Sequence, residues 1–365
     1  MTSRNFQILA LSGGGYRGLY TATILAELER ELGGPIARHF DLIAGTSIGG
    51  ILALAIANEI PASSLVDMFV QKGSDIFKPR TRFPLFKSSF SSNELRKVIS
   101  ATEMLGERLL GECKHPVIIP AINYSTGKPV LFKTPHNENF RFDHLHKMVD
   151  VGLATSAAPT YFPRHFFQQN QYVDGGLFAN APGLLAVHEA ETFLGANVAE
   201  LKLLAIGTMS SKFTVNPNNN RDGGAVDWGG GNPTKAAQRL FGLSISVQES
   251  LCDFMLEHRL GDRYIHVDED LTDDRSKAVS LDKADKNAQE VLLGAGREKA
   301  KSCLGNSKII DLPPDFSTMS NLVESVFRAG DGSEKAFYRR ADSRLPQAGG
   351  GRCAGEGTVS PTRLQ

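Results

Sequence analysis

Cysteine is scarce and unpatterned in this chain: Cys113, Cys252, Cys303 and Cys353 are the only four, and no two form a C-x-x-C pair. That argues against a disulfide scaffold and suits unpaired thiols in a reducing cytoplasm. An excess of either charge is also missing, since 40 Lys and Arg balance 40 Asp and Glu, which argues against a nucleic-acid-binding surface spread over the whole protein. No apolar run reaches the length of a bilayer span, and the longest, residues 48–57, has the length of a core helix. A first strand begins within a few residues of Met1, which leaves no room for a signal peptide. The acidic run Asp268-Glu269-Asp270 with Asp273-Asp274 lacks the glycine and terminal glutamate of an EF-hand loop, so it reads as a solvated acidic loop and no metal is expected. There is no internal repeat. With 41% hydrophobic residues the chain can still bury a large core, as one elaborated domain or two.

What the chain does have is glycine at particular places. Gly45-Thr46-Ser47-Ile48-Gly49 lies between a short buried strand, residues 40–44, and an almost wholly apolar helix, residues 48–58. A serine between two glycines at a strand-to-helix junction is how an α/β hydrolase presents a nucleophile. The glycines Gly45 and Gly49 relieve the crowding of the turn, and the helix N-terminus behind Ser47 favours developing negative charge. A second turn, Gly13-Gly14-Gly15-Tyr16-Arg17-Gly18, lies between a strand at residues 6–11 and a helix at residues 21–32. Two consecutive strand-glycine-helix units bring two loops to one edge of a parallel sheet, and backbone N–H groups of the second loop suit an oxyanion hole. Arg17 would hold that loop or add positive charge to it.

The same turn matches G-x-G-x-x-G through Gly13, Gly15 and Gly18, so an NAD-binding Rossmann protein is an alternative. That motif wants an acidic residue at the end of the next strand, roughly 20 residues on, to hold the ribose hydroxyls. Here that strand end carries Gly45-Thr46-Ser47, and Asp41 stands at its start.

A serine nucleophile needs a base. None of the nine histidines lies in a catalytic-looking turn. Tyr172-Val173-Asp174-Gly175-Gly176 places a carboxylate at the end of a short apolar strand, with two glycines leaving room beside it; by itself, Asp174 reads better as a turn aspartate in an Asp-Gly pair.

Taken together, a glycine-rich loop with an arginine, then G-x-S-x-G, then D-G-G, in that order over residues 6–209, resembles the patatin-like phospholipase family. The resemblance implies a three-layer α/β fold with a mostly parallel central sheet. It makes Ser47 the nucleophile, Asp174 its partner in a Ser-Asp dyad, and the loop Gly13, Gly14, Gly15, Tyr16 and Arg17 the oxyanion hole, with no cofactor needed for catalysis. Ser12 stands where many family members have aspartate. Within the family, the chain looks like the cyclic-nucleotide-activated phospholipases of bacterial anti-phage defence, the CapV type. That likeness rests on Ala205-Ile206-Gly207-Thr208, Ala225-Val226-Asp227-Trp228-Gly229 and Gln248-Glu249-Ser250. It implies a cyclic dinucleotide activator such as cyclic GMP-AMP, a membrane phospholipid substrate met peripherally at the inner membrane, and no nucleic acid partner. A homo-oligomer fits the same picture. An acylesterase or acyltransferase using the same dyad, and a binding protein that kept the fold, are the alternatives; intact Ser47 and Asp174 weigh against the last.

Residues 1–209 therefore read as the catalytic core, 210–312 as an elaboration of it that forms a candidate regulatory region, and 330–365 as a loose Gly-, Ser- and Arg-rich tail. The core continues with strands at 116–123 and 129–133, helices at 146–158 and 182–194, and a strand at 201–206. The elaboration opens with a long polar loop, residues 216–232, followed by helices over 233–259 and 281–304 and a strand at 263–267 between them. Trp228, Arg239, Arg259, Arg263 and Tyr264 are candidates for base and phosphate recognition. Residues 77–90 interleave phenylalanines with lysines and arginines, which suits a lid or bilayer contact, or a loop that pins its rings in the core.

Overall fold

A computed structural model describes residues 5–80, 88–209, 223–232, 235–271 and 278–304. The elements in chain order are β1 (Phe6–Leu11), α1 (Gly18–Leu32), β2 (Leu42–Gly45), α2 (Ile48–Ala57), α3 (Ala62–Ile76), α4 (Ser92–Ile99), β3 (Val117–Asn123), β4 (Lys128–Lys133) and α5 (Met148–Thr155). Then come β5 (His165–Phe167), β6 (Asn170–Asp174), α6 (Gly176–Ala179), α7 (Gly183–Phe193), β7 (Leu201–Ile206), α8 (Ala225–Trp228), α9 (Ala236–Leu260), β8 (Tyr264–Val267) and a last helix, α10 (Lys286–Leu304).

The strands form one eight-stranded sheet in the order β5-β6-β3-β2-β1-β7-β8, with β4 also paired to β3. The centre is parallel: β1 lies between β2 and β7, β2 beside β3, and β7 beside β8. Both faces of such strands are covered by helices, which is why β1 and β7 each carry four consecutive apolar residues, 8–11 and 203–206, rather than an alternating pattern. Along β1 the side chains still sort by pleat. Leu9 and Leu11 join the core under α1, α2 and α3, whereas Ile8 and Ala10 join the opposite core under α7 and α9. The antiparallel part is local: the hairpin β3–β4, and β6 between β3 and β5. The sheet is thus the three-layer, mostly parallel arrangement expected.

The segment after residue 209 is built onto this frame. β8 extends the sheet beside β7, α9 packs Cys252, Leu256 and Leu260 into the core on one side, and α10 packs Leu292, Ala295 and Ala300 into the core on the other. Cys113, Cys252 and Cys303 are all buried and unpaired, and Cys353 lies outside the described residues. Among the described residues no helix is long and apolar enough to cross a membrane, and no group of His, Cys, Asp and Glu could hold a metal ion.

The acidic run is not simply a solvated loop. Asp268 Oδ1 accepts the Met209 N–H at 2.7 Å, and its carboxylate is one of the charges acting on the buried Arg17, so it ties the end of β8 to the end of β7. Asp273 and Asp274 lie outside the described residues. Of residues 77–90, those at 81–87 are likewise outside. The flanking Phe77 and Phe90 pack edge-to-face at 5.5 Å, and Phe77 also meets Tyr16 and Phe162, so these two rings belong to the core.

Candidate active site

Parallel pairing of β1 with β2 sets Leu11 opposite Gly45, so the loops leaving both strands emerge side by side. Ser47 stands at the first of the sharp features there, with φ 56° and ψ −125°, a left-handed conformation that strains a residue with a side chain. The turn closes only because its neighbours are glycine. A Cβ at Gly45 would stand 2.1 Å from the Gly49 carbonyl oxygen, and one at Gly49 would stand 2.3 Å from that of Leu11. Thr155, at the end of α5, holds the elbow from below: its Oγ1 accepts the Ser47 N–H at 2.9 Å and donates to the Pro120 carbonyl at 2.6 Å.

Asp174 reaches the same point from β6, two strands away, where it sits opposite Ala121 of β3. The Ser47 hydroxyl donates to Asp174 Oδ2 at 2.7 Å, and the Gly176 N–H donates to Oδ1 at 2.7 Å. The carboxyl is 1% exposed. Burial pushes its pKa up to about 7, against the opposing pull of the Ser47 and Gly176 hydrogen bonds. No histidine is among the residues lining this pocket. His136 is instead held by Glu189 at 3.1 Å and His165 by Asp150 at 3.0 Å.

The glycine-rich loop divides into two kinds of residue. The Gly13 N–H donates to the Asn180 carbonyl and the Tyr16 N–H to the Leu281 carbonyl, so neither is a free donor, and both drop out of the set expected from the sequence. Gly14 and Gly15 line the pocket beside Ser47 and Asp174, with no acceptor for their N–H groups among the described residues. Arg17 is not a donor to the pocket either. Its guanidinium is buried and donates Nη1 to the Met209 carbonyl at 3.0 Å, with the Glu249 and Asp268 carboxylates as countercharges, which makes it the holder of the loop.

The rest of the pocket is apolar. Ile48 and Ile51 of α2, Met68, Phe69 and Ile76 of α3, and Phe77, Phe162 and Leu95 form most of the wall, and Phe241 and Ile245 of α9 with Leu281 complete it. A hydroxyl–carboxyl pair beside two backbone N–H groups without an acceptor among the described residues, in an apolar cleft, can bind an acyl chain and attack its ester carbon.

The five candidate nucleotide-binding residues do not gather at one place. Arg239 and Arg259 stand near opposite ends of α9, about 30 Å apart at the rise of an α-helix, too far for one dinucleotide to touch both. At the far end Arg259 pairs with Glu191, Arg263 donates to the Val198 and Leu201 carbonyls, and the Tyr264 hydroxyl donates to Asp253 at 2.6 Å. These three have structural partners. Trp228, half-exposed on α8, and Arg239, whose guanidinium lies against Gly230, occupy the end of α9 that adjoins the pocket-lining Phe241. Residues 210–222 of the candidate region lie outside the described residues.

Sequence reasoning missed Thr155, Asn180, Leu281 and Glu249 as parts of the site. Asn180 follows the Asp-Gly-Gly turn closely enough to be sought there, and Glu249 stands in the Gln248-Glu249-Ser250 stretch already singled out; nothing local marks Leu281 or Thr155.

The family description Patatin-like phospholipase matches residues 9–187 of this chain. A cGAMP-activated phospholipase of Pseudomonas aeruginosa is 44% identical over 94% of this chain and 98% of its own length. Proteins of the same description from Vibrio cholerae and Escherichia coli are each 35% identical over 80% of this chain, covering 90% and 88% of their own lengths. The matched segment begins in β1 and runs past Asp174 into α7, so it takes in both glycine turns and the strand that carries the carboxylate, while the relatives extend the likeness through α9 and beyond. On that likeness, from end to end, the chain belongs to the patatin-like phospholipase family.

Proposed function

We propose that the chain hydrolyses fatty-acyl esters of membrane phospholipids through a Ser47–Asp174 dyad and that cyclic GMP-AMP switches this activity on, as the effector step of an anti-phage response at the inner membrane. The observation that carries the chemistry is the 2.7 Å hydrogen bond from Ser47 to a buried carboxyl whose proton affinity suits a base near neutral pH. The descriptions of the three relatives carry the activator.

In the first half-reaction Ser47 Oγ attacks the ester carbon as its proton passes to Asp174 Oδ2, and the acyl oxygen becomes an oxyanion facing the Gly14 and Gly15 N–H groups. Collapse breaks the bond to the glycerol oxygen, which leaves as an alcohol with the proton from Asp174. Water then attacks the acyl-serine, Asp174 again takes the proton, and the fatty acid leaves as the proton returns to Ser47. The apolar wall holds the chain and keeps bulk water from Asp174, which is what raises its basicity. The surface around Trp228 and Arg239 is the better half of the candidate nucleotide region, because it adjoins the pocket wall.

Since only the ionised carboxylate can take the serine proton, kcat/KM for a soluble ester is expected to rise with pH through a single ionisation near 7 and to level off above it. A profile flat from pH 5.5 to 8.5 counts against Asp174 as the base. The whole reading is tested by fatty-acid release from phosphatidylethanolamine–phosphatidylglycerol vesicles, with and without cyclic GMP-AMP. Release that depends on both the nucleotide and Ser47 is the expected result. Release unchanged by the nucleotide removes the switch, and absence of Ser47-dependent release in both arms removes the phospholipase activity.

A further inference from the structure

Helix α9 lies outside the segment that the family description matches, yet it grips the stretch that follows the dyad aspartate. Ser244, Gln248 and Cys252 are spaced by four residues and so stand in one row on the helix. Ser244 Oγ donates to the Leu177 carbonyl at 3.0 Å and Cys252 Sγ to the Ala181 carbonyl at 3.3 Å. Gln248 clamps both polar groups of Ala181, accepting its N–H at 2.9 Å and donating to its carbonyl at 3.3 Å. Beside this row Glu249 turns inward, and its Oε1 accepts from the Asn180 side-chain amide at 2.6 Å.

Asn180 is the hinge of the arrangement. The same amide nitrogen donates to the Gly13 carbonyl at 3.1 Å, while the Asn180 backbone carbonyl accepts the Gly13 N–H at 3.1 Å. Both backbone polar groups of Gly13 are therefore held by one residue, whose orientation is fixed by Glu249, and the Gly13 carbonyl shares a peptide plane with the Gly14 N–H. Thr208 Oγ1 supplies the other bond to the Gly13 carbonyl, at 3.0 Å. Asn180 is 1% exposed and Glu249 9%, so no solvent competes for these bonds, and the buried Arg17 guanidinium balances the carboxylate charge.

We infer that Glu249 is a positioning residue for the Ser47 reaction: it fixes Asn180, and through it Gly13, so that the Gly14 and Gly15 N–H groups meet the developing oxyanion. This role rests on the proposed function, because it assumes that those two groups are the oxyanion donors. It also gives α9, which carries Ile245 and Phe241 of the pocket wall one and two turns before Glu249, a direct mechanical hold on the catalytic loop.

The test is steady-state hydrolysis of a short-chain p-nitrophenyl ester by the full-length chain with cyclic GMP-AMP present, for wild type, Ser47→Ala, Glu249→Ala, Glu249→Gln, Asn180→Ala and the Asn180→Ala/Glu249→Ala pair. Mis-aiming an oxyanion donor costs rate rather than ground-state binding, so Glu249→Ala lowers kcat by about 10- to 100-fold with KM within about twofold. Glu249→Gln keeps an oxygen to accept the Asn180 amide and stays within about threefold of wild type. Because Glu249 acts through Asn180, the double variant is no slower than Asn180→Ala alone, to within about twofold. Leu251→Ala, on the exposed face of the same helix, keeps the wild-type kcat. If Glu249→Ala does not fold by circular dichroism, Glu249→Asp, which retracts the carboxylate by one methylene, takes its place with the same expectation. Unchanged kcat in the truncated variant, failure of Glu249→Gln to restore it, or losses that multiply in the double variant overturn the role. Turnover that survives Ser47→Ala overturns the proposed function and this role with it, whereas turnover lost in Ser47→Ala and untouched in Glu249→Ala overturns the role alone.

Discussion

Replacing Ser47 by alanine is expected to lower ester hydrolysis about 10⁴-fold or more while leaving the circular dichroism spectrum native, because the hydroxyl is the only atom of that side chain used and its loss ends covalent catalysis. Asp174→Asn is expected to cost about 10³-fold or more, since the amide cannot take the proton. The same variant separates catalysis from stability. The folded-state pKa of Asp174, about 7, lies above the ordinary aspartate value of 3.8, so the folded state holds a proton between those two pH values that the unfolded state has released. Stability therefore falls as pH rises through that window, and the full cost of a buried charge is present above pH 7. An asparagine there has no charge to bury, can accept the Gly176 N–H and can donate to Ser47. Its melting temperature should exceed that of wild type by more at pH 8 than at pH 5. A variant that keeps its turnover shows that Asp174 is not the base, and an equal or reversed difference in melting temperature shows that the carboxyl is not desolvated in the folded state.

Gly14→Ala carries the second large effect. A Cβ at this position would stand 2.2 Å from Thr208 Oγ1 and 2.5 Å from its Cβ, and Thr208 is fully buried with its hydroxyl committed to Gly13. The loop must shift, which turns the N–H groups of residues 14 and 15 away from the acyl oxygen. Loss of one such donor is worth about 10²- to 10³-fold in kcat, so a fall of at least about 100-fold is expected per folded molecule, together with a lower melting temperature from the contact with Thr208. The rate of labelling by a serine-directed fluorophosphonate, whose phosphoryl oxygen uses the same donors, should fall in parallel. Full turnover and full labelling in folded Gly14→Ala protein would place the oxyanion donors elsewhere, the Ile48 N–H at the start of α2 being the next group in reach.

The strands that flank the site were the most legible part of the sequence, and for a plain reason. β1 and β7 are buried on both faces, so each ends in four consecutive apolar residues, 8–11 and 203–206, after Gln7 and Lys202 near their starts, and the C-terminal bound of each follows from where that run stops. Ser47 and Asp174 were legible because the backbone around each must turn sharply, and a sharp turn leaves glycine behind. Residues whose role comes from long-range packing leave no such mark. Asn180 is one amide among many until β6 and α9 set it against Gly13, and Glu249 is separated from its partner by a strand and two helices in the chain. The opposite error affected Gly13 and Tyr16. Their membership of a glycine-rich turn suggested free N–H donors, but the Asn180 and Leu281 carbonyls had already taken them. Arg259, Arg263 and Tyr264 are ligand candidates by residue type alone, and residue type carries no information about the carbonyls and carboxylates that a fold places beside them.

The three buried thiols give the molecule reporters of its own opening. Burial holds Cys113 at about 12 and Cys252 at about 11, and raises Cys303 as well, so almost no thiolate is present at neutral pH in the closed form. Alkylation must then wait for a local separation, and each sulfur watches a different one. Cys113 lies against Asn58 and Met148, between the ends of α2 and α5; Cys252 faces Ala181 under α9; Cys303 sits in the last turn of α10. In a chain whose Cys353 has been replaced by serine, an activator that lifts α9 from the catalytic loop would expose Cys252 to a maleimide while Cys113 stays protected, and the site of labelling would map the moving part without a structure of the active state.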